Sequence, residues 1–463
     1  VKRKLALLIL CIATALELID VTIVNISLHE VSADLQMSRH FAAWVLTGYL
    51  LSFGGLLMLG GRLGDLLGKR RVFVSGAIIF TLSSALSGAA PNGWFLIAAR
   101  FVQGAGAALL APMTLALIVS IFRQYDERAR AMSVWGAVTG ISGSIGVTLG
   151  GILADGPGWR WIFWVNVPLG LAIVIGAFWV IPADGPAEKT SLRNFDFVGA
   201  VLSAGAIGML IYGISSLEQY SMVDLRSGGS ALIGLSVLTL FVIWEKHACH
   251  PLIDLALLRI RSVAGSNLIA FTGVAGQYSI FYLLAICLQE EVRYPASVAG
   301  LLYLPMTICS VVVAARVHIL VAVVGVRRSV VLGAVMNIAG LLLLALGTTE
   351  YNLWSSIIVP SIIIGLGSPC WFVPISAAAI EDSPSDLSGL SSALLNTNRT
   401  IGGAFGVAMA ATILNSYTHD AVATPLRVSY LATCLLYVLV VVFAFWCFRG
   451  CAVRIGARTT RTD

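Results

Sequence analysis

The sequence predicts an all-helical, polytopic membrane protein of about fourteen transmembrane helices, two six-helix bundles with two further helices between them. Three observations predict it. Of 463 residues, 58% are hydrophobic and only 11% charged, where a soluble domain carries about 25% charged residues. Apolar runs of about 20 residues, enough to cross roughly 30 Å of hydrocarbon as a helix, recur along the whole chain. Finally, GKRRVFVSGA (68–77) returns as GVRRSVVLGA (325–334), with the glycine, the paired arginines and the later Gly-Ala in register. The first copy follows the second apolar run and the other follows the tenth, so two six-helix units and two inserted helices account for the count. Parallel repeats of this kind mark transporters whose site lies between the halves.

Taken in order, Lys2-Arg3-Lys4 precede an apolar run with no small-residue cleavage site after it, which predicts a retained first helix rather than a signal peptide. Polar breaks near 29–40, 62–71, 91–93, 122–131, 155–160 and 182–194 delimit six runs. Breaks at 218–228 and 245–261 bound the inserted pair, and those at 289–295, 316–328, 348–352, 381–388 and 417–427 divide the rest. The expected units are residues 1–181, 182–261, 262–448 and a tail, 449–463. With the N-terminus inside, the inner segments collect about 22 Lys and Arg and the outer ones about five, the asymmetry of the positive-inside rule. Both termini, including Arg449, Arg454, Arg458 and Arg461, are therefore expected in the cytoplasm of a cell whose plasma membrane holds the protein.

That asymmetry accounts for the net charge of +6 without nucleic acid. The cysteines sit mostly inside apolar runs and read as small packing residues. His247, Cys249 and His250 cluster in a polar linker, but no second ligand pair follows, so no metal site is expected. GRLGDLLGKRR (61–71) lacks the first glycine and the hydroxyl residue of a phosphate-binding loop. Neither H-E-x-x-H nor G-x-S-x-G occurs, and no enzyme chemistry is expected.

The same stretch resembles the loop signature between helices two and three of the major facilitator superfamily, at Gly61, Leu63, Asp65, Gly68, Lys69 and Arg70; Leu66 stands where a basic residue often does. RFVQGAGAALLAP (100–112) resembles the fourth-helix signature, and GISGSIGVTLGGIL (140–153) the fifth-helix signature of antiporters, with Val147 replacing its proline. WRWIFWVNVPLG (159–170), LIDVTIVN (18–25) and LNTNRTIGGAFGVA (395–408) narrow the resemblance to the fourteen-helix drug:proton antiporters, EmrB/QacA-type, over essentially the whole chain. The resemblance implies the major facilitator fold and alternating access. It also implies a latch at the 61–71 loop, for which Arg128 or Arg130 is the expected partner of Asp65. Gly136, Gly140, Gly143, Gly150 and Gly151 fall on one helical face, a surface for close helix approach, and Gly146 belongs to the same motif.

Residues 11–28, CIATALELIDVTIVNISL, hold two acids in an apolar helix. A charged side chain at mid-membrane costs about 2.5–3.5 kcal/mol on insertion scales, so such acids face a cavity or a partner and mark function. Thr14, Glu17, Asp20 and Ser27 share less than half the circumference and are expected to face the space between the halves. A buried carboxylic acid resists ionising, the more so beside a second one, and so can carry a proton between two environments. Asp20 matches the acidic position of the family motif and is the expected proton carrier. Glu17 is either the second acid of a coupled pair or an anchor for cations, and Arg100 either times proton release or holds Asp20 as a structural pair. Tyr49, Gln103, Trp135, Trp371, Phe372 and Arg399 complete the candidate cavity. Glu290 and Glu291 read as solvated acids near an outer helix end.

The expected function is proton-coupled export of lipophilic or cationic small molecules, conferring drug resistance. Its expected partners are the substrate, protons and lipid, with no cofactor beyond the proton-motive force and the monomer as the working unit. Dedicated export of an endogenous metabolite and uptake by symport remain the alternatives.

Overall fold

The computed structural model describes residues 2–37, 39–184, 196–217, 220, 223–248, 255–294, 296–348, 352–384, 387–415 and 423–448. Cys249, His250, the tail from 449, most of the 182–194 break and the side chains of Val147 and Glu290 lie outside the described residues. The described residues form helices and turns, with no strand among them.

The long segments are α1 (Lys2–Ile26), α2 (Arg39–Leu67), α3 (Lys69–Gly88), α4 (Gly93–Ile121), α5 (Tyr125–Asp155), α6 (Asn166–Val180), α7 (Phe197–Ser216) and α8 (Ser230–His247). They continue as α9 (Arg261–Ile286), α10 (Leu304–Ala314, bent into Val317–Val324), α11 (Val326–Leu346), α12 (Val359–Glu381), α13 (Ser388–Asn415) and α14 (Ala423–Cys447). Among the described residues ten helices are long and apolar enough to cross a membrane, and α10, broken by 57° around Arg316, makes eleven. The expected fourteen is reached only by adding α5, α7 and α13. Glycine, hydroxyl and charged residues dilute α5 and α13, and the apolar part of α7 is short.

Local chemistry sets the breaks. Asn92 caps α4, its side chain accepting from Phe95 N at 2.9 Å, and Asn352 accepts from Trp354 N at 3.0 Å ahead of α12. Pro360 stands in the first turn of α12, where its missing N–H costs nothing. Gly68 and Gly325 both precede a helix with positive φ, +105° and +83°, a conformation glycine adopts without strain. The two sequence repeats are thus the same turn in space.

The repeat extends into packing. A methyl group at Gly76 would stand 2.8 Å from the Gly106 carbonyl oxygen, and one at Gly333 would stand 2.5 Å from that of Gly367. Backbone therefore meets backbone at the α3–α4 and α11–α12 crossings alike. Helices α1 to α6 pack on one another, α1 against α5 and α6, α2 and α3 against α4; α9 packs on α13 and α14, α11 on α12 and α14. Between the two sets, α2 meets α13 and α5 meets α10, while α7 and α8 pair and α7 leans on α2 and α13. At the end opposite Gly68, Asp34 accepts from Arg160 Nη1 at 2.7 Å and Trp159 Nε1 at 3.0 Å. The Arg160 bond holds the Asp34 carboxyl below its ordinary range, so this clasp between two connecting loops persists into mild acid.

Candidate functional site

Asp20 lies on α1 with 0% exposure, as does Arg100 on α4. Arg100 Nη1 donates to Asp20 Oδ2 at 2.5 Å, and Gln103 Nε2 and Asn166 Nδ2 both donate to Asp20 Oδ1 at 2.8 Å. Arg100 also donates from Nε to the Val45 carbonyl and from Nη1 to Gln103 Oε1. Its guanidinium covers the Tyr49 ring, 4.3 Å from the centroid. Asn166 is held in turn by Ser84 Oγ, at 3.1 Å. Helices α4 and α6 thus close on the α1 carboxylate, and α3 steadies Asn166 from behind. Three donors converge on the two oxygens of Asp20, and the bond from the Arg100 guanidinium is of the strong, charge-assisted kind.

The polar stripe on α1 divides. Asp20 points into its own half rather than into the space between halves. Thr14 accepts from Trp135 Nε1 at 3.0 Å, and Ser27 bonds back to the Ile23 carbonyl. Glu17 differs: it is 8% exposed and makes no hydrogen bond or ion pair among the described residues. Tyr278 of α9, with Glu17 of the first half and Arg399 of the second among its charged neighbours, is 44% exposed although it sits well inside a helix. It lines open space between the halves. A methyl at Gly143 would also meet nothing within 4 Å.

Beneath that space the halves meet. Trp135 of α5 and Phe372 of α12 stack with centroids 6.0 Å apart and planes 11° from parallel. Arg399 of α13 covers both, 4.3 Å from the Phe372 centroid and 5.7 Å from that of Trp135. Three expected cavity residues are placed elsewhere. Gln103 serves Asp20; Tyr49, fully buried, is the shelf under Arg100; and Trp371, 1% exposed, packs on Gly273 and Tyr437 inside the second half.

At the Gly68 end the halves are latched. Asp65 accepts from the backbone N–H groups of Gly389 and Leu390 at 3.0 and 2.9 Å, the unsatisfied donors of the α13 N-terminus. Gly61 and Gly389 let those helices touch at the backbone. Lys69 Nζ donates to Ser388 Oγ at 2.5 Å. The expected Asp65 partner is corrected: Arg128 pairs with Glu381 of α12 at 2.7 Å, and Arg130 is exposed. A helix terminus offers two aligned donors without ordering a long side chain, and Arg128 meets an acid of its own. Arg70 works within its half, donating to the Phe178 carbonyl. Asp184, not singled out in the sequence, accepts from Arg70 N and Arg71 N and caps α3. The glycines of α5 also serve two surfaces: Gly146 and Gly150 meet α1, while Gly136 and Gly140 face Val373 and Ser310 of the other half.

A family model described as Major Facilitator Superfamily matches residues 10–407. The chain belongs to the major facilitator superfamily. Within it, the chain is 33% identical to a cephamycin export protein of Amycolatopsis lactamdurans, the alignment covering 89% of this chain and 85% of that one. It is 32% identical to a puromycin resistance protein of Streptomyces alboniger, over 90% and 83%, and 30% identical to the multidrug transporter MdtP of Bacillus subtilis, over 90% and 76%. Among solved structures, the proton:xylose symporter XylE matches with a TM-score of 0.67 at 14% identity, covering 96% of this chain and 95% of that one. The human organic anion transporter MFSD10 matches at 0.64 and 15%, over 96% and 99%. The likeness to these two is one of fold. A superfamily member with this many spanning helices is a multi-pass membrane protein.

Proposed function

We propose that this protein is a proton-coupled exporter of small molecules, drugs or antibiotics among them, working by alternating access as a monomer. In this reading it sits in the cell membrane with both termini and the Gly68 latch on the cytoplasmic side, and α5, α7 and α13 complete fourteen spans. Residues 1–181 and 262–448 are the moving halves, and the proton-motive force replaces any cofactor. One observation carries the reading: a fully buried Asp20–Arg100 pair stands one helical turn from Glu17, an acid with no polar partner among the described residues, at the edge of the space between the halves. The curated relatives named above are exporters or resistance proteins, which supports drug-like cargo.

The latch at the Gly68 end is closed, and in this reading that is the shape in which the space between the halves receives a proton from outside. Glu17 is placed to take it and hand it one turn along α1 to Asp20. A neutral Asp20 releases Arg100, Gln103 and Asn166, loosening α1 from α4 and α6 and so the mutual tilt of helices that the latch holds. A proton falling through a potential of 100 mV yields about 2.3 kcal/mol; at ~150 mV that sustains a gradient of a few hundredfold.

Everted vesicles test this. Adding a transported drug should dissipate a preformed pH gradient, and Asp20→Asn should abolish the response while the protein remains inserted and folded. Normal drug-driven proton exchange in Asp20→Asn defeats the assignment, and a drug flux running with the protons instead of against them would establish symport.

A further inference from the structure

The space between the halves holds two opposite charges that the Asp20 network leaves unused, Glu17 from the first half and Arg399 from the second. Arg399 Nη1 donates to Asn396 Oδ1 at 3.2 Å and Nη2 to Ser376 Oγ, but its Nε has no hydrogen-bond partner among the described residues. Among the described residues no acid pairs with it. A guanidinium carries five N–H donors, and an uncompensated charge in a low-dielectric interior costs several kcal/mol. Asn396 and Ser376 orient the group without neutralising it. Its planar fork matches a carboxylate, and its face already lies on the Phe372 and Trp135 rings.

Glu17 is the mirror case: a buried acid with no cation paired to it among the described residues, since Arg100 is committed to Asp20. Trp135 joins the two charges: its Nε1 donates to Thr14 Oγ1, one helical turn before Glu17, and Arg399 stands over its ring. We propose that this cavity takes amphoteric aromatic molecules, whose carboxylate is bound by Arg399, whose basic nitrogen is bound by Glu17, and whose ring lies against the Trp135–Phe372 stack. The inference rests on the export reading for what the cavity is for, and it moves the substrate class from cations to zwitterions. The preference follows from the two halves supplying opposite charges: a cation alone satisfies Glu17 and leaves Arg399 uncompensated.

The test is equilibrium binding to purified protein, read by ligand fluorescence, with norfloxacin, an aromatic carboxylate bearing a secondary amine, and its methyl ester. A charge-assisted bond is worth about 1.5–3 kcal/mol, so the wild type should prefer the acid to the ester by roughly 10–100-fold. Arg399→Gln should remove that preference by weakening the acid alone, and Arg399→Lys should restore part of it. Glu17→Gln should weaken acid and ester alike, since both keep the amine. An equal affinity of the wild type for the two, undetectable binding of the acid, or equal losses of both in Arg399→Gln overturns the proposal. The last outcome marks a merely structural arginine. Binding in detergent needs no proton gradient. A failed vesicle exchange alongside an intact acid preference therefore removes the export reading and leaves the subsite standing.

Discussion

Arg100 illustrates how much one side chain can organise. It balances the Asp20 charge, satisfies the Val45 carbonyl and lies on the Tyr49 ring, all without exposure to solvent. Removing one member of such a pair leaves a buried charge uncompensated, a loss of about 3–5 kcal/mol, whereas replacing both members with neutral groups is often tolerated. Arg100→Met should therefore lower the unfolding temperature in detergent sharply, and Arg100→Met with Asp20→Asn should recover most of that loss. Additive losses in the double variant would mean that the two residues do not act on each other. Asn166 lies inside VNVPLG (165–170), where an amide two residues before a proline reads as helix punctuation. Its role as a donor to Asp20 depends on α1 and α6 standing side by side.

Helices in this protein are specified less by where they point than by where they thin. At Gly106 a side chain would reach within 2.6 Å of the Phe80 backbone nitrogen, whereas Gly143 faces open space. Overpacking a tight crossing costs about 1–3 kcal/mol, so Gly106→Val should reduce thermal stability by that order while Gly143→Ala leaves it unchanged, as followed by circular dichroism. Equal effects at the two positions would show that the α3–α4 crossing relaxes around a branched side chain. Glycine spacing announced close approach on α5 but not to which neighbour. The helix has α1 on one side and the opposite half on the other, and sequence periodicity carries no label for either.

At the scale of the molecule, one end is closed by contacts of unlike kinds: Asp65 on a helix terminus, Lys69 on Ser388, and Arg128 with Glu381. The last is a partly exposed pair and contributes on the order of 1 kcal/mol, about a fivefold shift between shapes. Arg128→Glu or Glu381→Arg alone should raise the unlatched population by roughly that factor. The double reversal should restore it, as read from spin-label distances across the latch. A double variant as open as the singles would place the closing energy elsewhere. The acid–base pair of the first half also has no charged counterpart at the matching place in the second, where Ser368 meets Gln277 and Asn337, all neutral. The fold is repeated while the charge is not.

Membrane class, helical fold, the repeat, the latch loop and the two acids of α1 were open to reading along the chain, because solvation by lipid constrains composition locally and a tight turn demands glycine wherever it occurs. Which carboxylate is locked away and which is left free was not. Glu17 and Asp20 are three residues apart on one apolar helix. A 3.6-residue period separates their directions by only about 60°, and that angle lets α4 and α6 enclose Asp20 while Glu17 borders the gap toward α9. Asp65 finding a helix terminus rather than an arginine, and Trp371 retiring into its own half while Trp135 crosses to Phe372, followed the same rule. Pairing is settled by which surfaces meet once twenty or more residues of helix have been placed, and no local pattern encodes that distance.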